Sequence, residues 1–336
     1  MKRVLITGGA GFIGHHFVER LLKETNADIV CLDRLDFSGT LHRLHDATIN
    51  LGSEKKRLKF VWHDLKSEIS DYVQKQIGEV DYVFHLAAGS HVDRSIDEPM
   101  EFVMDNVVGT CNLLNYIRKI NPKLFVYFST DEVFGPAPEG VNYKEWDRYN
   151  SGNPYSASKA GAEELCVAFA NTYAIPTVIT HCMNVFGIRQ HKEKYIPLCI
   201  KKILCGEKIS IHSNKEKTKA GSRFYIHTDD VYEAVMHICK MHQENKLNLK
   251  EAEKFNIVGS EEIDNLELAR RISNILDKEL IYEMVDFHTS RPGHDLRYAL
   301  DGSKMRETGW SPKDLTKRLE QTVNWYIDSK NIHWIE

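Results

Sequence analysis

The chemistry-bearing residues of this chain gather between Ser129 and Lys159. Thr130, Asp131 and Glu132 follow an apolar run, Leu124 to Phe128, that reads as a buried parallel strand. Ligands bind at strand ends in open α/β sheets, so a hydroxyl and two adjacent carboxylates are expected on the floor of a site. Further on, Asn153 and Pro154 give a cap and a first-turn signal for a helix. On that helix Tyr155 and Lys159 are four apart and share a face. An ammonium beside a phenol favours the phenolate, so Tyr155 reads as a base working near neutral pH. Two neighbouring carboxylates resist ionising together, so one of the two is expected to hold a proton. Taken alone, Tyr-x-x-x-Lys is a short motif that ordinary surface helices also carry. Asp131-Glu132 alone could equally be loop caps.

The elements that position these residues start at the N-terminus. Val4-Leu5-Ile6 is a short apolar strand, followed by Thr7-Gly8-Gly9-Ala10-Gly11-Phe12-Ile13-Gly14 and a helical pattern with Ile13, Phe17 and Leu21 on one side. This is strand, glycine turn, helix. Gly8 allows the tight turn, Gly11 lets backbone approach a pyrophosphate, and Gly14 lets the helix pack on the sheet. The helix N-terminus, with Phe12 and Ile13 in its first turn, supplies amide donors. A second apolar run, Ile29 to Leu32, ends at Asp33, 22 residues after Gly11. An acid there accepts the ribose hydroxyls and repels a 2′-phosphate, which favours NAD over NADP; Arg34 next to it is a counter-signal.

Leu58 to Trp62 reads as a third strand, with Asp64 and Leu65 just beyond its end. Asp64 could accept from an adenine amino group or cap a helix. Val80 to Phe84 is a fourth strand, leading into Leu86, Ala87, Ala88, Gly89 and Ser90, whose small residues would let a cofactor lie against backbone. A continuous helical pattern runs from Pro99 to Lys119 and contains Asn106, which could fix a loop or a water, or simply be solvated. Alternating strands and helices predict an α/β fold, a Rossmann-type doubly wound parallel sheet with a smaller C-terminal α/β substrate lobe. The expected division is an NAD-binding domain at 1–183 and a second lobe at 184–336, with the chain crossing back to the first domain around 224–245. In the second lobe Ile196–Leu204, Asp229–Met241, Leu266–Leu276 and Leu315–Ile327 read as helices, and the basic stretch from Ser213 to Ser222 as an exposed loop.

Composition narrows the function. The chain has 336 residues and a net charge of −4, with no stretch that suggests a nucleic-acid surface. No apolar run approaches membrane-spanning length, and Met1-Lys2-Arg3 leads straight into a strand, so neither a membrane span nor a signal peptide is expected. Seven scattered cysteines with no Cys-x-x-Cys suggest reduced thiols and a cytoplasmic setting. The sixteen histidines form no ligand cluster, and no metal site is expected.

With these motifs in place the chain resembles the extended short-chain dehydrogenase/reductase superfamily. The resemblance rests on Thr-Gly-Gly-x-Gly-Phe-Ile-Gly, His-Leu-Ala-Ala-x-Ser-His-Val-Asp, Ser-Thr-Asp-Glu-Val-Phe-Gly and Tyr-x-x-x-Lys. The Asp-Glu pair narrows it to nucleotide-diphosphate-glucose 4,6-dehydratases. Later matches include Asn184-Val185-Phe186-Gly187, Lys194, Arg223, Phe255-Asn256-Ile257, and Arg291 with His294. The departures are Gly89 where a larger polar residue is frequent, Phe134 for a frequent Tyr, His181 for a common Arg, and a longer segment from Ile211 to Arg223.

The resemblance implies a reaction. Tyr155 takes the 4-hydroxyl proton of a nucleotide-diphosphate glucose while NAD takes the C4 hydride. Lys159 holds the nicotinamide ribose, and Thr130 hydrogen-bonds the C4 oxygen. Glu132 removes the acidified C5 proton, Asp131 protonates the departing 6-hydroxyl, and the hydride returns to C6. Ser90, Thr130, Asn184, Asn256 and His294 would contact substrate; Lys194, Arg223 and Arg291 could clamp its diphosphate. A homodimer through the helix that starts at Tyr155 is also implied. Alternatives on the same scaffold are a nucleotide-sugar 4-epimerase or a uronate decarboxylase, which need no acid/base pair for elimination. A non-catalytic NAD-binding scaffold protein is the reading from another class.

Overall fold

The computed structural model describes residues 1–286 and 296–336, so the expected contacts of Arg291 and His294 lie outside the described residues. The chain forms two compact units. The first comprises Met1–Val133, Asn153–His181 and Val235–Phe255; the second comprises Phe134–Gly152, Cys182–Ala234 and Asn256–Glu336.

The first unit is built on β1 (Arg3–Thr7), β2 (Asp28–Asp33), β3 (Leu58–Trp62), β4 (Tyr82–His85), β5 (Leu124–Thr130) and β6 (Thr177–Cys182). With β11 (Glu253–Ile257) they give a seven-stranded sheet in the order β11-β6-β5-β4-β1-β2-β3. β1 pairs in parallel with both β2 and β4, β2 with β3, and β4 with β5. Parallel pairing requires a crossover between strands, and helices supply it: α1 (Phe12–Glu24), α2 (Leu41–Thr48), α3 (Asp71–Ile77), α6 (Gly109–Ile120) and α7 (Pro154–Tyr173). Covered on both faces, β5 is buried along all seven of its residues, which is why Leu124 to Phe128 are apolar without alternation. Leu113, Leu114 and Ile117 of α6 and Ala162, Cys166 and Ala170 of α7 pack on Leu5, Val83, Phe125 and Tyr127 of the sheet.

The helix expected as one piece from Pro99 to Lys119 is broken. α5 (Pro99–Phe102) passes into a π-helical turn, Val103–Val108, before α6 resumes. Asn106, almost fully buried inside that turn, donates and accepts hydrogen bonds outside the helix, and a wide turn is the local form that aims such a side chain away from the ladder.

In the second unit, α8 (Tyr195–Leu204), α10 (Asn265–Leu276) and the helix Leu315–Ile327 enclose a core of Ile196, Ile200, Leu268, Ile272, Leu319 and Val323. The strands β8 (Ile209–Ser213) and β13 (Tyr282–Asp286) pair in parallel beside it, β9 (Ser222–Arg223) pairs antiparallel with β12 (Ile263–Asp264), and β10 (Ile226–His227) in parallel with β7 (Val185–Phe186). Of the stretch expected to be exposed, Ser213 to Ser222, only Lys215 to Lys219 is exposed, and Ser213, Ala220 and Gly221 are buried. α9 (Thr228–Gln243) carries the chain from the second unit into the first.

Candidate active site

The carboxyl end of β5 delivers the reacting groups in sequence. Thr130 is the last strand residue, and Asp131–Phe134 curl at once into a 3-10 turn. The Thr130 hydroxyl donates to Asp131 Oδ1 at 3.0 Å and accepts from the Glu132 amide at 3.4 Å. Thr130 and Asp131 are buried, while Glu132 is half-buried. The tight turn keeps both carboxylates at the strand mouth, since a continued strand would have put consecutive side chains on opposite faces.

α7 supplies the partner pair. Its start is a capping box: Asn153 Oδ1 accepts from the Ser156 amide at 2.8 Å, and the Ser156 hydroxyl faces the Asn153 backbone. Pro154 occupies the first turn, as expected from sequence. Asn153 does more than its sequence suggested, because its Nδ2 donates to Glu132 Oε2 at 3.1 Å. An Asn cap has a second amide end that a Ser or Thr cap lacks, and that was the available signal. Tyr155 is 9% exposed, with its ring edge-on to Phe102 at 6.4 Å and Val92 in the same cluster. Its backbone amide donates to the Ser95 hydroxyl at 3.1 Å. Lys159, 4% exposed, donates to the Phe128 carbonyl at 2.6 Å and lies 4.2 Å over the Tyr127 ring. The lysine therefore ties α7 to β5 just before Thr130.

Asn106 fixes the third side. Its Oδ1 accepts from the Gly89 amide at 2.8 Å; its Nδ2 donates to the Gly89 carbonyl at 3.0 Å and to the Ser158 hydroxyl at 2.8 Å. A side chain at position 89 would start 3.2 Å from Asp105 Oδ2 and the Phe102 ring, so it would fit only if those neighbours gave way by a few tenths of an ångström. Asn106→Ala leaves the half-buried amide and carbonyl of Gly89 without their side-chain partner, a loss of about 1 kcal/mol for each hydrogen bond. Denaturant unfolding should show a loss of at least that size, and an unchanged midpoint would contradict the bridge.

The glycine turn is shaped as the sequence predicts. Gly8 has φ +69°, and a Cβ there would sit 2.6 Å from the Ala87 amide nitrogen. A Cβ on Gly14 would sit 2.2 Å from the Gly8 carbonyl oxygen, so α1 can approach β1 only with glycine. Gly11 caps α1 with no side-chain acceptor, and the first turn holds no acid among the described residues; Phe12 and Ile13 open the helix. An uncapped helix start behind a cradle that any Cβ would fill fits a dinucleotide pyrophosphate. Asp33, 7% exposed at the end of β2, accepts from the amides of Ala10 and Leu35, both at 2.9 Å. Burial raises its carboxyl above the usual value against those two amides. Asp64 accepts from the Lys66 amide at 2.9 Å, an Asx-type turn rather than a helix cap, and Leu65 is buried. Leu86, Ala87 and Ala88 are half-buried just beyond β4, and Ser90 is exposed. His85 holds that strand end: its ring meets the Thr7 hydroxyl at 2.7 Å and the Thr110 hydroxyl at 2.9 Å. Burial, with help from the Lys159 charge, lowers His85 to about 3, so the ring is neutral at pH 7. All these positions cluster at the carboxyl ends of one parallel sheet, where open α/β folds bind ligands.

The remaining expected substrate contacts lie in the second unit. Asn184 is half-buried, and its carbonyl accepts from the Ile226 amide. Lys194 is exposed at the start of α8. Arg223 donates to the carbonyls of Ser222 and Leu296 and lies 4.5 Å over the Tyr298 ring. Asn256 is fully buried, and its amide donates to the carbonyls of Tyr143 and Asp301 at 3.0 and 3.1 Å, a contact that braces the second unit internally.

A parallel sheet with a glycine turn after β1, an acid closing β2 and a Tyr/Lys pair on α7 define an extended short-chain dehydrogenase/reductase. The chain belongs to the family described as GDP-mannose 4,6 dehydratase, whose family model matches residues 5–323. It is 35% identical to the dTDP-glucose 4,6-dehydratase of Salmonella typhimurium, over 99% of this chain and 94% of that one. It is also 35% identical to that of Mycobacterium tuberculosis, over 98% and 94%. A dTDP-glucose 4,6-dehydratase from Streptomyces venezuelae, solved with NAD bound, superposes with a TM-score of 0.85 at 32% identity, covering 98% of each chain. A Thermus thermophilus UDP-glucose 4-epimerase in complex with NAD reaches 0.84 at 26% identity, covering 97% of this chain and 99% of that one.

Proposed function

We propose that this protein is an NAD-dependent nucleotide-diphosphate-glucose 4,6-dehydratase, converting dTDP- or UDP-glucose to the 4-keto-6-deoxy sugar and water. The observation that carries this is the consecutive Asp131 and Glu132 on the turn that directly follows Thr130, in the same unit as Tyr155 and Lys159. The overall fold is shared with an epimerase neighbour and does not separate the two reactions. An adjacent acid and base at the strand mouth are what elimination of water needs and epimerisation does not.

When bound, NAD supplies the redox step at C4 and C6. Gly8, Gly11, Phe12, Ile13 and Gly14 would hold its pyrophosphate, with Asp33, Arg34, Asp64 and Leu65 at its adenosine end and Leu86, Ala87, Ala88, Tyr155 and Lys159 towards the nicotinamide. Tyr155 takes the proton of the 4-hydroxyl, and Thr130 orients that oxygen. Ketone formation makes the C5 hydrogen acidic, so Glu132 can remove it. The C6–O bond then breaks as Asp131 delivers a proton to the departing hydroxyl, and water leaves. Returning the proton to C5 restores Glu132, and Asp131 is reprotonated from solvent, to which Tyr155 gives up the proton it took from the 4-hydroxyl, so acid, base and phenol end as they began. Ser90, Asn184, Lys194 and Arg223 are assigned to the nucleotide sugar, while Asn256, expected there from sequence, is committed inside the second unit. The enzyme is read as a homodimer packed through the small-residue face of α7, on which Ala157 and Ala168 are exposed. No described helix is long and apolar enough to cross a membrane, and the proposed setting is the cytoplasm.

The test is incubation with dTDP-, UDP-, CDP- and GDP-glucose followed by mass analysis of the nucleotide sugars. Loss of one water from one of the glucose nucleotides is expected. A product of unchanged mass but altered stereochemistry at C4 would replace this reading with epimerase.

A further inference from the structure

Arg34 directly follows the ribose-facing acid, and arginine at this point of the fold is the residue type that pairs with a 2′-phosphate. In the structure its guanidinium is already engaged. Nη1 and Nη2 donate to Asp105 Oδ1 and Oδ2 at 2.5 and 2.7 Å, a two-pronged pair. Nε and Nη2 donate to Asp36 Oδ2 at 2.9 and 2.6 Å, and Asp64 Oδ1 lies 3.6 Å from Nη1. Asp105 is 10% exposed and sits on the π-helical turn beside Asn106, so it is held by the same bridge that fixes Gly89. Lys66 braces it from behind, 3.6 Å from Asp105 Oδ1 and hydrogen-bonded to Glu101. The Arg34 backbone is fixed too. Its carbonyl accepts from Trp62 Nε1 at 2.8 Å, and Asp33 Oδ1 holds the amide of Leu35, a non-glycine residue at φ +59°.

We propose that Asp105 and Asp36 form a specificity lock on Arg34: they occupy its guanidinium so that it offers no charge to a 2′-phosphate, and NADP is refused by this lock as well as by Asp33. The inference rests on the NAD site proposed above. To reach a 2′-phosphate Arg34 must leave two carboxylates, one of them nearly buried. Removing the acid at position 33 would therefore convert the site only halfway, because the neighbouring cation stays engaged.

The experiment uses the purified full-length protein equilibrated with equimolar NAD and NADP. Free nucleotide is removed, the protein is denatured, and the released nucleotides are counted by chromatography. Asp33→Ser should raise the retained NADP:NAD ratio modestly. Adding Asp36→Asn and Asp105→Asn should raise it by about a further tenfold, the size of one charge-assisted contact. Adding Arg34→Met to that triple variant should abolish the gain. Asp33→Ser with Asp105→Asn alone, a smaller perturbation, should show part of it. The lock is overturned if the Asp36 and Asp105 changes add nothing to Asp33→Ser, or if their gain survives Arg34→Met. A parent protein that retains neither nucleotide would overturn the cofactor reading itself, and the lock with it.

Discussion

Glu132→Gln is expected to stop the enzyme between its two halves. A keto-hexose nucleotide that still carries its 6-hydroxyl should accumulate on the protein, and the dehydrated product should form roughly 10²–10⁴ times more slowly, the range for loss of a general base. Acid-quenched single turnovers read by mass spectrometry separate the two species. Glutamine keeps the shape of the side chain and can still face Asn153, so the turn after Thr130 should survive. Exchange of the C5 hydrogen with deuterated solvent gives an independent reading and should be lost in parallel. Dehydration at the parent rate would move the base to another residue. A variant unable to form the ketone would show instead that Glu132 acts in placing the sugar.

The second large effect is expected in the interior, beneath the strand end that carries Thr130. Glu163, on α7 with 0% exposure, is the centre of a buried charged group. Lys254 Nζ lies 2.9 Å from its Oε1, His181 Nε2 is 3.1 Å from both oxygens, and the Ser129 hydroxyl donates to Oε2 at 2.6 Å. Three neighbouring strands, β11, β6 and β5, each present one polar side chain to a single carboxylate. Removing one member of a buried ion pair strands the other, so Lys254→Met should cost roughly 3–5 kcal/mol in denaturant unfolding. Glu163→Gln added to Lys254→Met should recover much of that loss, because no buried charge is then left short of a partner. Burial alone would raise the Glu163 carboxyl, but His181, Lys254 and Ser129 together hold it well below the usual carboxylate range. With the folded value below the unfolded one, this group's stabilisation is complete above about pH 4–5 and is lost as the pH falls. Acid unfolding of Lys254→Met should therefore begin at higher pH than in the parent. Coincident acid curves would show that Lys254 contributes nothing to holding the carboxylate. Since Ser129 immediately precedes Thr130, the group also anchors the strand end that carries the reacting residues.

Much of this was legible from residue order. The parallel sheet followed from apolar runs separated by helical patterns, and the start of α7 from Asn153-Pro154. Asp131, Glu132, Tyr155 and Lys159 were visible as types at a spacing. The break at Val103–Val108 was not, because Val, Met, Asp, Asn and Val keep helical periodicity whether the turn is regular or wide. Nor could periodicity reveal that Arg34 is bound to Asp105, since the two are 71 positions apart and meet only once β2 and the helix layer are assembled. His181 stood out as a departure from a common Arg. Its explanation needs Lys254 on an adjacent part of the sheet, which supplies a positive charge from another strand.

Position 153 has unusually little latitude. Helix starts elsewhere exchange Asn, Asp, Ser and Thr with small penalties, because each offers one oxygen to the first-turn amides. Here the oxygen is committed to Ser156 and the nitrogen to Glu132. Aspartate would keep the first contact and set a negative charge against the second, while serine or threonine is too short to span both. One carboxamide thus couples where α7 begins to where the elimination base points, and drift in either loop is felt by the other.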